Sequence, residues 1–352
     1  MQWFLHVGTE KTGSSHLQCQ LALSRDYLEE NGLCFPPGWP YDEKCMRSGN
    51  ISAGNARQLA KALSGNDQQL ARELIDVCVD YAHTRKVEKI ILASEWLLEP
   101  LSQPGGIRQL VDLLEERSCF SLSLLLVLRD PLSQCLSLYR HRAKRGTAGD
   151  IQSWLADGYR LSEQLSLFRE QVEVNGIALC VRKYLRGSEA LERLFFEDWL
   201  EIKRPRIELT ATVNPSLTMS EVALIRKMAQ IRSDLTLPLY ESLLAVPSDQ
   251  KIGDGALEYH AREVAAGAVA AYSNEWQAWN ALLPQGEQLE IPEAPDVINE
   301  PPTELKFSEA QLEAISALFA RAATPGFVLE TFWRSRLRPG LGRLARGVGF
   351  RR

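Results

Sequence analysis

The sequence predicts an α/β fold: a mainly parallel sheet flanked by helices, followed by a helical C-terminal part. Three observations carry this prediction. Short apolar runs such as "QWFLHV", "VEKIILAS", "FSLSLLLVL" and "GIALCVRKY" have strand length. Longer stretches with helical spacing separate them through about residue 205. From about residue 206 onward the strand-like runs fade and helical patterns dominate.

The elements follow in order. "QWFLHV" ends at Gly8 and reads as a buried strand. A helix is expected over "SSHLQCQLALSRDYLEENG", closed by Asn31 and Gly32. "GLCFPP" reads as a short strand ended by prolines. Residues 41–65 read as a polar loop with a short helix. A helix over 66–85 leads to the strand "VEKIILAS", which ends at Ser94 and Glu95. A helix over 106–117 precedes "FSLSLLLVL". The next helix is "DPLSQCLSLYRHRAKR", with Asp130 as N-cap and Pro131 in the first turn. Helices over 159–174 and 188–201 flank the strand "GIALCVRKY". Later helical patterns occupy 219–233, 254–280 and 307–322. The expected organisation is a core over 1–205, a helical extension over 206–330 packed on that core, and an Arg-rich tail over 331–352.

Composition narrows the classes. The 352 residues are 45% hydrophobic, enough for a sizeable core. The net charge of −5 argues against a dedicated nucleic-acid binder. Seven cysteines, an odd number with no CxxC pair, argue against a disulfide scaffold or a zinc ribbon. With no signal peptide pattern, a cytoplasmic setting is expected. After Glu330 the chain has arginines and no acidic residue. That tail is either a solvated end or a contact for an anionic ligand or membrane surface.

In a parallel sheet, ligands bind beyond the carboxyl ends of the strands. The segments there are Gly8–Ser15, Ser94–Glu95, Arg129–Ser137 and Tyr184–Arg186. "GTEKTGSS" combines glycines, a lysine and hydroxyls between a strand and a helix, the ingredients of an anion site. An ATP loop is ordered G-x-x-x-x-G-K-[ST]. Here the order is G-x-x-K-T-G-S-S, so that motif is absent.

The loop resembles the 5′-phosphosulfate loop of sulfotransferases that use 3′-phosphoadenosine 5′-phosphosulfate (PAPS), especially bacterial members. The resemblance implies a P-loop-like fold and a set of roles. Lys11 would steady the leaving phosphate, while Gly8, Thr12, Gly13, Ser14 and Ser15 would form its cradle. "LLLVLRDPLSQCLSLYRHR" is similar to the family's second signature. There Arg129 and, eight residues on, Ser137 would bind the 3′-phosphate. "VRKYLRGSEALERLFFEDWL" is a weaker likeness, placing Tyr184 and Arg186 near the adenosine. The likeness covers residues 2–235.

The implied reaction moves a sulfuryl group to a hydroxyl or amine of a glycan, a glycolipid or a small metabolite, with PAPS as co-substrate and no metal. Glu95 is the expected base, since it follows a strand whose end should lie beside the loop. Glu10, His16 and His6 are lesser candidates for it. Trp39, Tyr41 and Trp154 are candidates for a sugar site, with packing as the plainer role of each. Two other readings use the same pocket: a P-loop-type nucleotide kinase, and a non-catalytic nucleotide-binding protein.

Overall fold

Five apolar runs form five parallel strands: β1 (Gln2–His6), β2 (Leu33–Cys34), β3 (Lys89–Ala93), β4 (Ser121–Leu128) and β5 (Ala178–Lys183). The computed structural model describes residues 1–117, 121–143, 151–156, 160–185, 187–207, 217–252, 271–291 and 305–324. The strand order is β2-β3-β1-β4-β5. β1 is therefore central, with Phe4 level with Ile91 on one side and Ser123 on the other. A strand covered by helices can be apolar along its whole length. Trp3, Phe4 and Leu5 are accordingly all buried. Each such side chain favours the fold by about 1.5–3 kcal/mol.

The order creates a switch point. From β1 the chain turns toward β2 and returns through β3, then crosses to β4 and continues to β5. Connections from β1 and β4 thus leave in opposite directions, opening a crevice at their carboxyl ends.

The helices refine the expected pattern. The helix expected from Ser14 to Gly32 is two helices, Ser14–Leu23 and Arg25–Glu30. They meet at Ser24, whose hydroxyl donates to Gln20 O at 2.6 Å. This local bond competes with helix continuation. The expected loop over 41–65 contains two helices, Pro40–Arg47 and Arg57–Ser64. The helix expected over 188–201 is a short α-helix, Ser188–Glu192, continued by a π-helical stretch, Arg193–Trp199. Asp130 caps its helix as expected, accepting from Ser133 N at 2.7 Å.

Compact units do not follow a single cut near residue 205. One unit comprises Met1–Leu138, Gly158–Asn214 and Ala268–Glu293. The other comprises Tyr139–Asp157, Pro215–Gly267 and Ala294–Arg352. In the first unit, the helix over 271–280 explains its own membership. Trp276 Nε1 donates to Asp130 Oδ2 at 2.7 Å, and Glu275 accepts from Leu161 N and Ser162 N. The Arg-rich tail over 331–352 lies outside the described residues. Among the described residues, no helix is long and apolar enough to cross a membrane.

The second unit has a buried polar centre. Helices Met219–Ile231 and Glu309–Ala322 both begin with capping boxes. Glu221 belongs to the first box and Gln311 to the second, and Gln311 Nε2 donates to Glu221 Oε1 at 2.9 Å. Lys251 Nζ lies 3.1 Å from Glu221 Oε1, with both side chains almost wholly buried. Removing one partner strands the other charge. Lys251→Met is expected to destabilise this unit by about 3–5 kcal/mol. Adding Glu221→Gln should recover part of that loss, as read by denaturant unfolding.

Candidate functional site

The switch-point crevice gathers most of the sequence-derived candidates. β1 ends at His6, and the loop Val7–Gly13 carries the chain into the helix Ser14–Leu23. Val7 N still donates to Leu125 O, and Thr9 Oγ1 donates to Val127 O at 3.1 Å. The loop is thereby tied to β4. Thr12 Oγ1 donates inward to Thr9 O at 2.7 Å and is fully buried. Its hydroxyl therefore braces the loop from within.

Two residues of this loop take left-handed backbone conformations: Lys11 with φ 65° and Gly13 with φ 84°. Such a conformation is unusual for lysine and suits glycine. A Cβ at Gly13 would also collide with Leu191. Gly13 is the N-cap of the helix and supplies no side-chain cap. The first-turn amides thus lie at the positive end of a helix, where an anion is favoured. Gly8 is buried; a Cβ there would lie 3.9 Å from Glu95 Cα.

Glu95 is beside this loop, as the parallel pairing of β1 and β3 requires. Ser14 Oγ donates to Glu95 Oε2 at 2.6 Å. Burial pushes the Glu95 carboxyl above the ordinary value, against the bond from Ser14; the charge of Glu10 also raises it, and Lys11 lowers it. The next residue, Trp96, is 42% exposed on the short turn Glu95–Leu97.

Arg129 closes β4 and points back at the loop. Its Nη1 donates to Lys11 O at 3.0 Å. Its Nε and Nη2 both donate to Ser133 Oγ, at 3.1 and 2.9 Å. The guanidinium lies 5.3 Å from the ring centre of Tyr184, a cation–π distance. Tyr184 N donates to Leu128 O, and its ring lies 3.5 Å from where a Gly13 Cβ would be. Loop, β4 end and β5 end therefore meet. Ser137 is half-buried one turn beyond Ser133 on the same helix face. Arg129 Nε and Nη2 are engaged by Ser133, one turn nearer the strand end. Ser15 is half-buried at the helix start. Arg186 lies outside the described residues.

Sequence reasoning missed Ser133 and Gln134. Gln134 is fully buried and its Nε2 donates to Glu10 O. Spacing of four from Arg129 was the available signal for Ser133. His16, a lesser candidate for the base, pairs with Glu192 Oε1 at 2.7 Å and so joins two helices. Trp154 packs against Tyr139, with ring centres 6.0 Å apart. Trp39 and Tyr41 are exposed.

Compared with known proteins, the chain matches no family model, no curated protein and no solved structure.

His6 lies under the loop and supplies a test of it. It is fully buried, both ring nitrogens lack a hydrogen-bond partner, and Phe195 meets its ring edge-on. Burial lowers its pKa from 6.5 to about 4. The unfolded chain therefore takes up a proton below pH 6.5 while the folded chain does not until about pH 4. Stability from this group is complete above pH 6.5 and falls as pH drops toward 4, by roughly 3 kcal/mol in total. His6→Phe should flatten that part of the pH–stability curve measured by urea unfolding.

Proposed function

We propose that the chain is a sulfotransferase that moves a sulfuryl group from PAPS to an acceptor hydroxyl. The observation that carries this reading is the meeting of three parts at one crevice. A lysine-bearing loop opens onto an uncapped helix start. Ser14 of that helix holds the carboxylate of Glu95. Arg129, on the neighbouring strand end, is fixed against the same loop. One anion site, one candidate base and one separate cation suit a nucleotide with a 5′-phosphosulfate and a second phosphate.

In this reading the amides of Thr12 to Ser15 receive the 5′-phosphate. Lys11 meets charge developing on the bridging oxygen. Arg129 addresses the 3′-phosphate as a forked donor, with Ser137 beside it and the Tyr184 ring against the guanidinium. The acceptor oxygen forms its bond to sulfur as the bridging S–O bond breaks. Glu95 takes the acceptor proton, and adenosine 3′,5′-bisphosphate leaves with the electron pair. A raised carboxyl pKa makes Glu95 a stronger base than an ordinary carboxylate. The sequence order of the loop, with lysine before the second glycine, supports this reading over a nucleotide kinase.

Adenosine 3′,5′-bisphosphate is expected to raise the melting temperature without magnesium, and ATP is not. Glu95→Gln should keep that shift while transfer of labelled sulfate falls by about 10²–10⁴-fold. Activity of the unaltered chain should rise with pH at a higher pH than for an ordinary carboxylate, as the sign of the Glu95 shift requires. A Lys11→Ala variant with full transfer activity would sink the reading.

A further inference from the structure

Trp96 follows Glu95 directly, and two cations lie over its ring, which is still 42% exposed. The Arg57 guanidinium carbon lies 5.1 Å from the ring centre and Lys61 Nζ lies 5.5 Å from it. The two residues are four apart on the helix Arg57–Ser64 and share a face. Arg57 is not free to swing. Its Nη1 contacts both oxygens of Asp42, at 3.3 and 3.1 Å. Asp42 is itself 1% exposed and also accepts from Ala53 N. Arg57 Nε is buried without a hydrogen-bond partner. Lys61 is exposed, and no ion pair ties it to a carboxylate among the described residues. Asp42 offsets one of the two positive charges, so the patch remains cationic.

The turn carrying Trp96 is also fixed. Trp96 N donates to Ser94 Oγ at 3.2 Å, and Ser94 Oγ donates to Ala53 O at 2.7 Å. Asn55 then binds the β3 backbone as a missing strand would, accepting from Ala93 N and donating to Ile91 O. The exposed indole and its cations are thus held one residue from the candidate base by a braced loop. An indole in this setting offers a flat apolar surface, and the cations offer an anion contact.

We propose that Trp96, Arg57 and Lys61 form the acceptor subsite, and that the acceptor is an acidic sugar. The C–H face of the sugar ring lies on the exposed indole. Its anionic substituent meets Lys61 and the Arg57 guanidinium. A hydroxyl of that ring or the next then reaches Glu95. The term acceptor rests on the sulfotransferase reading; binding of an acidic sugar does not.

The test compares cellobiouronic acid with cellobiose, which differ by the carboxylate, using isothermal titration on the full chain with and without adenosine 3′,5′-bisphosphate. The unaltered protein is expected to favour the acid by about tenfold, the scale of a charge-assisted hydrogen bond. Lys61→Gln should abolish the preference, and Trp96→Ala should weaken both sugars. Both side chains are exposed, and melting temperature and bisphosphate affinity should stay unchanged. Equal binding of the two sugars, binding of neither, or a preference that survives Lys61→Gln overturns the inference. If the acid preference is present and lost in Lys61→Gln while the bisphosphate does not bind, the subsite stands and the sulfotransferase reading falls. If the bisphosphate binds and the sugars are not distinguished, the reverse holds.

Discussion

The hydrogen bond from Arg129 Nη1 to Lys11 O, 3.0 Å long, joins the two halves of the switch point. Lys11 holds an unusual left-handed backbone conformation, and a non-glycine residue stays there only when its surroundings fix it. Arg129 supplies part of that fixing. In turn Arg129 is held by Ser133, whose backbone is capped by Asp130, whose second oxygen takes the Trp276 indole. A chain of contacts therefore runs from the helix over 271–280 to the loop after β1. The loop geometry depends on residues more than two hundred and fifty positions away in sequence.

Charge is distributed unevenly around this loop. The helix start and Lys11 favour an anion, while Glu95 places a carboxylate at the same helix start through Ser14. An incoming anion and an ionised Glu95 would repel one another. Burial lessens that conflict, because it favours the protonated carboxyl. A protonated carboxyl cannot act as a base, so the proposed transfer requires the ionised form of Glu95, which a higher pH favours. The neutral His6 beneath the loop adds no charge to this balance near neutral pH.

β1, β3 and most of β4 were legible because they are buried on both sides and so appear as nearly unbroken apolar runs. Lys11, Gly13 and Arg129, singled out by local patterns, do meet at one crevice. What escaped was set by contacts distant in sequence. Ser24 ends a helix through a bond to Gln20 that competes with an otherwise continuous helical pattern. Asn55 is a polar loop residue in sequence, yet it completes the edge of β3. Trp276 belongs with the first unit because of Asp130, which no periodicity within 254–280 reveals. Trp96 follows a buried strand closely in sequence, yet it is exposed on the short turn Glu95–Leu97.

The proposed function requires Arg129 to serve a phosphate separate from the one in the loop. Isothermal titration of adenosine 3′,5′-bisphosphate and adenosine 5′-monophosphate against the unaltered chain and Arg129→Gln tests this most directly. The account predicts that the unaltered chain prefers the bisphosphate and that Arg129→Gln loses the preference while still binding the monophosphate. Equal affinity for the two nucleotides in the unaltered chain, or a preference that survives in Arg129→Gln, would contradict it.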